Sequence, residues 1–342
     1  MLKFLKKYRT LVKLAENHKE VPIVDGRRRH LGIILTFIGY ILLAFYAVLF
    51  EFDVHRFQIK VVDSVSHVFF NFTILYFVMF LVFSAFVIPL GRKFLKSKEP
   101  KLLFWRIAIA ITGFWAYSLS RVWTNLVDNS LLYSSDSIWI VLILWLLGIK
   151  MRGFKFWGNI LGFITIIYLC AVNFTSVYSL FGWFFGTFSG ITLAIITIIT
   201  SYLVKQDPPL RIGFYQSLIA CISSFIIAIV FGFFQGWSFP TPVEIATFSF
   251  TGLAFALAMF CFWEAFFYAE TYIIGAVSYF YPVLIIVLGW VINENQITPI
   301  TILGTTTLSI ASLLIIFGSF FNDRKNKIKH FADGTNIPKI KK

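Results

Sequence analysis

Ten apolar runs, each close to the length of a helix that crosses a bilayer, constrain this chain more than any other feature. They lie at about 31–50, 68–90, 104–123, 130–149, 156–173, 178–203, 212–234, 245–268, 272–292 and 298–320. About 20 apolar residues, rising 1.5 Å each, cross a hydrocarbon core of ~30 Å. Lipid offers no partner to open backbone groups, so each run is expected to be helix. A soluble domain cannot hide a chain of 342 residues that is 58% hydrophobic, with a mean hydropathy of +0.82. The apolar surface would exceed what a core of that size can bury. The expected fold class is an all-α integral membrane protein of ten transmembrane helices.

The charges give the expected direction. Formal net charge is +14, a balance that in a soluble chain points to nucleic acid. Here the basic residues sit between apolar runs, so no nucleic-acid partner is expected. With the N-terminus in the cytoplasm, 27 of the 30 Lys and Arg fall on the cytoplasmic side, leaving Arg56, Lys60 and Arg121 outside. Cytoplasmic loops carry such an excess, which implies cytoplasmic N- and C-termini and a multi-pass protein of the inner (cytoplasmic) membrane. Residues 1–30 read as a basic cytoplasmic segment, either a solvated tail or an amphipathic helix lying on anionic lipid. Residues 321–342 read as a second basic tail. No signal-peptide cleavage site follows the first run. Cys170, Cys221 and Cys261 lie inside apolar runs and suggest neither a disulfide framework nor a metal site.

Residues 128–162 echo residues 270–304 at a shift of 142: Leu142 meets Leu284, Ile143 meets Ile285, and Gly162 meets Gly304. Phe69-Phe70-Asn71 similarly meets Phe214-Tyr215-Gln216 at a shift of 145. Five spans per half is an odd number, so the second copy is inserted upside down. Inverted repeats meeting at a midplane site are a common plan of secondary transporters. The expected units are residues 31–175 and 176–320.

Phe181–Pro209, Phe214-Tyr215-Gln216-Ser217-Leu218 and Gly275-Ala276-Val277-Ser278-Tyr279-Phe280-Tyr281-Pro282-Val283 resemble the drug/metabolite transporter superfamily, EamA type. Glu294 and Gly304 stand where that family places a glutamate after the ninth span and a glycine in the tenth. The first half departs from the pattern: Asn71 replaces an arginine, and Ile140 and Arg152 stand opposite Pro282 and Glu294. The resemblance implies ten helices, alternating access and a central cavity.

Charges inside a span need a reason, and two stand out in this reading: Arg121 near the outer end of span three and Glu264 near the inner end of span eight. Tyr117 and Asn125 share a helical face with Arg121, and Tyr268 follows Glu264 at i+4. Each charge either snorkels to an interface or meets a mixed-charge solute. Tyr117, Tyr178, Trp263 and Tyr279 can stack a ring or hold a cation, or pack against helices and lipid. Asn71 and Gln216 occupy matched places and can hydrogen-bond a solute or a neighbouring helix. Gly275 and Pro282 mark a hinge or a static kink in span nine. Gly182, Gly186 and Gly190 form a face suited to internal packing or a homodimer.

No HExxH, CxxC, P-loop or GxSxG occurs, so neither an enzyme nor a cofactor is expected. The leading expectation is a secondary transporter for a small organic metabolite, amino-acid-like or nucleoside-like, S-adenosylmethionine among the candidates. Its partners would be that solute and membrane lipid. The alternatives are a lipid-handling protein or flippase accessory, and a sensory membrane protein working through its basic tails.

Overall fold

A computed structural model describes residues 26–56, 65–124, 126–148, 153–172, 179–237, 239–269, 271–293 and 299–332. Every regular element among them is helical. They are α1 (Gly26–Arg56), α2 (Val65–Val87), α3 (Pro100–Trp123), α4 (Leu126–Tyr133), α5 (Asp136–Leu146), α6 (Phe154–Val172), α7 (Ser179–Leu203), α8 (Pro209–Gln235), α9 (Pro242–Ala265), α10 (Thr271–Val277), α11 (Tyr281–Asn293) and α12 (Pro299–Ala332). Short 3-10 segments fill Ile88–Leu90 and Ser278–Phe280, and a single turn covers Arg92–Leu95.

Among the described residues, eight apolar helical stretches are long enough to cross a membrane, two of them running through a break: Leu126–Leu146 and Thr271–Val291. Phe156–Leu169 and Ile302–Gly318 are shorter apolar helices. Phe86, Phe233, Phe234, Leu146 and Leu303 are exposed on the helix bundle, which suits a lipid solvent. The chain is a multi-pass membrane protein.

The fourth apolar run was expected to be one helix over 130–149. It begins earlier and divides at Ser134 and Ser135 into α4 and α5. The physical cause lies in Ser134-Ser135-Asp136-Ser137, four consecutive short polar side chains that offer the backbone competing hydrogen bonds. Ser135 Oγ indeed donates to Leu132 O at 2.6 Å. The ninth run breaks at Ser278–Phe280, just before Pro282. Proline has no N–H to return to the carbonyl four residues back, so the helix ends there and restarts.

Close helix contacts run where glycine removes a side chain. A Cβ on Gly182 would meet Ser120 O at 3.1 Å, and one on Gly190 would meet Leu132 O at 2.7 Å. The Gly182, Gly186 and Gly190 face of α7 is therefore taken up within the chain, against α3 and α4. Helix α1 packs on α9, α2 on α8, α3 on α7, and α6 on α12; α4 and α5 lie against α10 and α11.

Candidate functional site

Between these pairs lies a buried cleft of about 80 Å3, room for a few waters. Its polar lining includes Arg106, Thr200, Gln216, Ser189, Tyr40, Tyr133 and Asp136. Phe114, Phe255, Phe262 and Trp263 supply an aromatic wall.

Arg106 sits six residues into α3, about 9 Å from its start at 1.5 Å per residue. The guanidinium is buried, the residue only 2% exposed. Its Nε donates to Thr200 Oγ1 at 3.0 Å and one terminal nitrogen donates to Gln216 Oε1. Its carbon stands 5.1 Å over the Trp263 ring, within cation–π range. Two of its five N–H groups are thus engaged. No acidic side chain pairs with it among the described residues.

Asp136 opens α5 at the break of the fourth span and is 1% exposed. Ser278 Oγ, in the break of the ninth span, donates toward its Oδ1 at 2.6 Å. The two split helices touch at their interruptions. A helix N-terminus favours a carboxylate in its first turn, which is where Asp136 stands. Tyrosines crowd round this crossing: the Tyr117 and Tyr281 hydroxyls lie 2.7 Å apart, and the Tyr117 and Tyr133 rings 4.8 Å apart.

The residues singled out from the sequence are dispersed. Gln216 and Trp263 line the cleft. Tyr117 stands beside it, in the tyrosine cluster. Tyr279 is fully buried, against the position where Gly162 lacks a Cβ. Asn71 is buried on α2, away from the cleft lining. Glu264 and Tyr268 are partly exposed near the end of α9 and also stand apart from it. Gly275 packs on Ile140, and Pro282 sits in the first turn of α11. Tyr178, Asn125, Glu294 and most of both basic tails lie outside the described residues, as does the side chain of Arg121.

Arg106 was counted with the cytoplasmic loop charges, yet it lies inside a helix. Asp136 was passed over altogether. A charge inside an apolar run was the available signal for both: residue three of the run 104–123 and residue seven of the run 130–149.

The cleft-lining residues from Ser189 to Ile274 fall within one stretch that matches a known family: the EamA-like transporter family, over residues 180–318. Residues 180–318 are an EamA-like transporter domain. That match and the apolar helices together support a membrane transporter of the drug/metabolite type. The EamA-like domain supplies α7 to α11 and most of the apolar part of α12, and so one side of the cleft. A solved crystal structure is similar over 84% of this chain and 97% of its own, with a TM-score of 0.64 and 14% identity. That likeness concerns the fold alone. No curated protein matches the chain by sequence.

Proposed function

We propose that the chain is a secondary transporter that moves a small organic metabolite, amino-acid-like or nucleoside-like, through the central cleft by alternating access. The observation that carries this reading is Arg106: a buried cation with spare donors and no acidic partner among the described residues, facing a cleft between helix pairs. Burying a charge is costly without a counter-charge. A carboxylate or phosphate on a solute would supply one, and a guanidinium fork suits either. The neighbouring Trp263, Phe114 and Phe262 suit a planar or apolar body beside that anionic group.

Ten helices in two inverted repeats, residues 31–175 and 176–320, fit the packing. Count α4 with α5 as span four and α10 with α11 as span nine. Helix α1 on α9 then joins spans one and eight, and α3 on α7 joins three and six. Exchanging each span with the one five places on turns the first contact into the second. It also returns α2 on α8, α6 on α12, and span four on span nine to themselves. Two discontinuous spans crossing at the centre are a recurrent transporter feature. The basic residues favour the cytoplasmic membrane with both termini inside. A metabolite needs a pocket of roughly 300 Å3 or more, so the cleft must widen on one side to admit it.

The test is uptake by vesicles holding the purified protein, screened with amino acids, nucleosides and S-adenosylmethionine. Any solute that moves should depend on Arg106: Arg106→Gln removes a charged hydrogen-bonding partner of about 1.5–3 kcal/mol, roughly 10- to 100-fold in affinity. Uptake unchanged in Arg106→Gln would overturn the site.

A further inference from the structure

The crossing of the two split spans gathers oxygen atoms. Ser278 Oγ lies 2.6 Å from Asp136 Oδ1, 2.7 Å from Gly275 O and 3.4 Å from Ser134 O. Ser137 Oγ donates to the same Gly275 carbonyl and stands 3.3 Å from Ser278 Oγ. One carboxylate, two main-chain carbonyls and two serine hydroxyls gather here, with the Ser137 N–H against Asp136 and the phenols of Tyr40 and Tyr279 beside Ser278 and Ser137 as the other donors. The carbonyls are available because both helices are interrupted here: Gly275 is in the last turn of α10, and Ser134 follows α4. Asp136, Ser137 and Ser278 are all buried. No basic side chain pairs with Asp136 among the described residues. The ionisable groups that face it are the phenols of Tyr40 from α1, Tyr133 from α4 and Tyr279 from the 3-10 segment. None of these brings a positive charge, and Arg106, which lines the same cleft, makes no ion pair with Asp136.

Asp136 has no ion-pair partner among the described residues, and oxygens are the ligands that hard cations take. Unwound carbonyls at broken spans hold sodium ions or protons in transporters of other folds. A single carboxylate argues against a divalent ion, since calcium sites assemble six to eight oxygens and usually several carboxylates. We propose that Asp136, with Ser278, Ser137 and the Gly275 and Ser134 carbonyls, binds one monovalent cation, sodium or a proton, and that this ion couples to solute movement. The ion site stands by itself; its coupling role rests on the transport reading. Charging the site would neutralise Asp136 and pull α5 and the ninth span together at the point where both can bend.

The full-length protein in detergent tests the site directly. Its melting temperature is followed as sodium chloride replaces choline chloride at constant ionic strength, at acid and at alkaline pH. Binding to the folded state raises the melting temperature in a saturable way. The expected result is a sodium-dependent rise that Asp136→Asn abolishes. Ser278→Ala should need about tenfold more sodium for the same rise, the worth of one charged hydrogen bond. Ser223→Ala, on α8, should respond like the wild type. A rise on acidification without any sodium effect, lost in Asp136→Asn, assigns the proton as the cation. Should Asp136→Asn not fold, the Ser278→Ala shift decides in its place. Wild type and variants that respond alike to sodium and to pH overturn the site. Solute flux indifferent to both ions, beside an intact sodium-dependent rise, overturns the coupling alone. An intact rise with no flux of any solute instead removes the transport reading and leaves the ion site standing.

Discussion

Trp263 links the energetics of the fold to those of the site. Its ring packs on Phe83, centroids 5.7 Å apart, and supports the Arg106 guanidinium. Trp263→Ala should cost about 3–5 kcal/mol through the cavity left behind, seen as a lower melting temperature. Trp263→Phe keeps an aromatic face but holds a cation less well. It should fold and bind solute a few-fold more weakly, measured by the same vesicle uptake. Individual site residues were only partly readable. Gln216 and Trp263 were reachable because they lie in the strongly patterned second half. Arg106 was masked by its neighbours Arg92, Lys93, Lys96, Lys98 and Lys101, which make it look like the last charge of a loop. A count of loop charges sets orientation and cannot tell where the helix begins.

At the scale of elements, small residues set the spacing and polar residues set the breaks. Helices α6 and α12 meet at Gly158, where a Cβ would lie 2.8 Å from Ala311 O and 2.7 Å from Ile315 Cγ1. Backbone cannot yield as a flexible side chain does. Gly158→Ala should therefore destabilise by about 1–3 kcal/mol, while Thr112→Ala on the exposed face of α3 should leave the melting temperature unchanged. The apolar runs made legible the eight described stretches long enough to cross a membrane, because a bilayer imposes one length and one hydrogen-bonding solution. The interruption of the ninth span was signalled by Pro282. The interruption of the fourth span has no proline, and hydropathy averages over Ser134-Ser135-Asp136-Ser137. Only a reading of side-chain competition for backbone hydrogen bonds would have found it.

Across the whole molecule, both ends of the bundle are tied. At one face His67 Nε2 and Glu244 Oε1 lie 2.8 Å apart, joining α2 to α9, and Glu244 also closes a capping box with Thr241. At the other face Asp207 accepts from Arg211, Ser97 Oγ and the Lys98 N–H, joining the segment before α8 to the one before α3. Each tie should hold its own end shut. With the native cysteines replaced and a thiol placed at Ser189 in the cleft, Glu244→Gln should speed labelling from the His67 side alone, and Asp207→Asn from the opposite side alone. Equal effects from both sides would contradict separate ties. Because the cleft has space for a few waters and both ends are fastened, the resting protein should leak nothing. Vesicles carrying it should keep an imposed pH gradient as long as bare vesicles do, until a solute arrives. A cell could then insert many copies without draining the gradients it lives on.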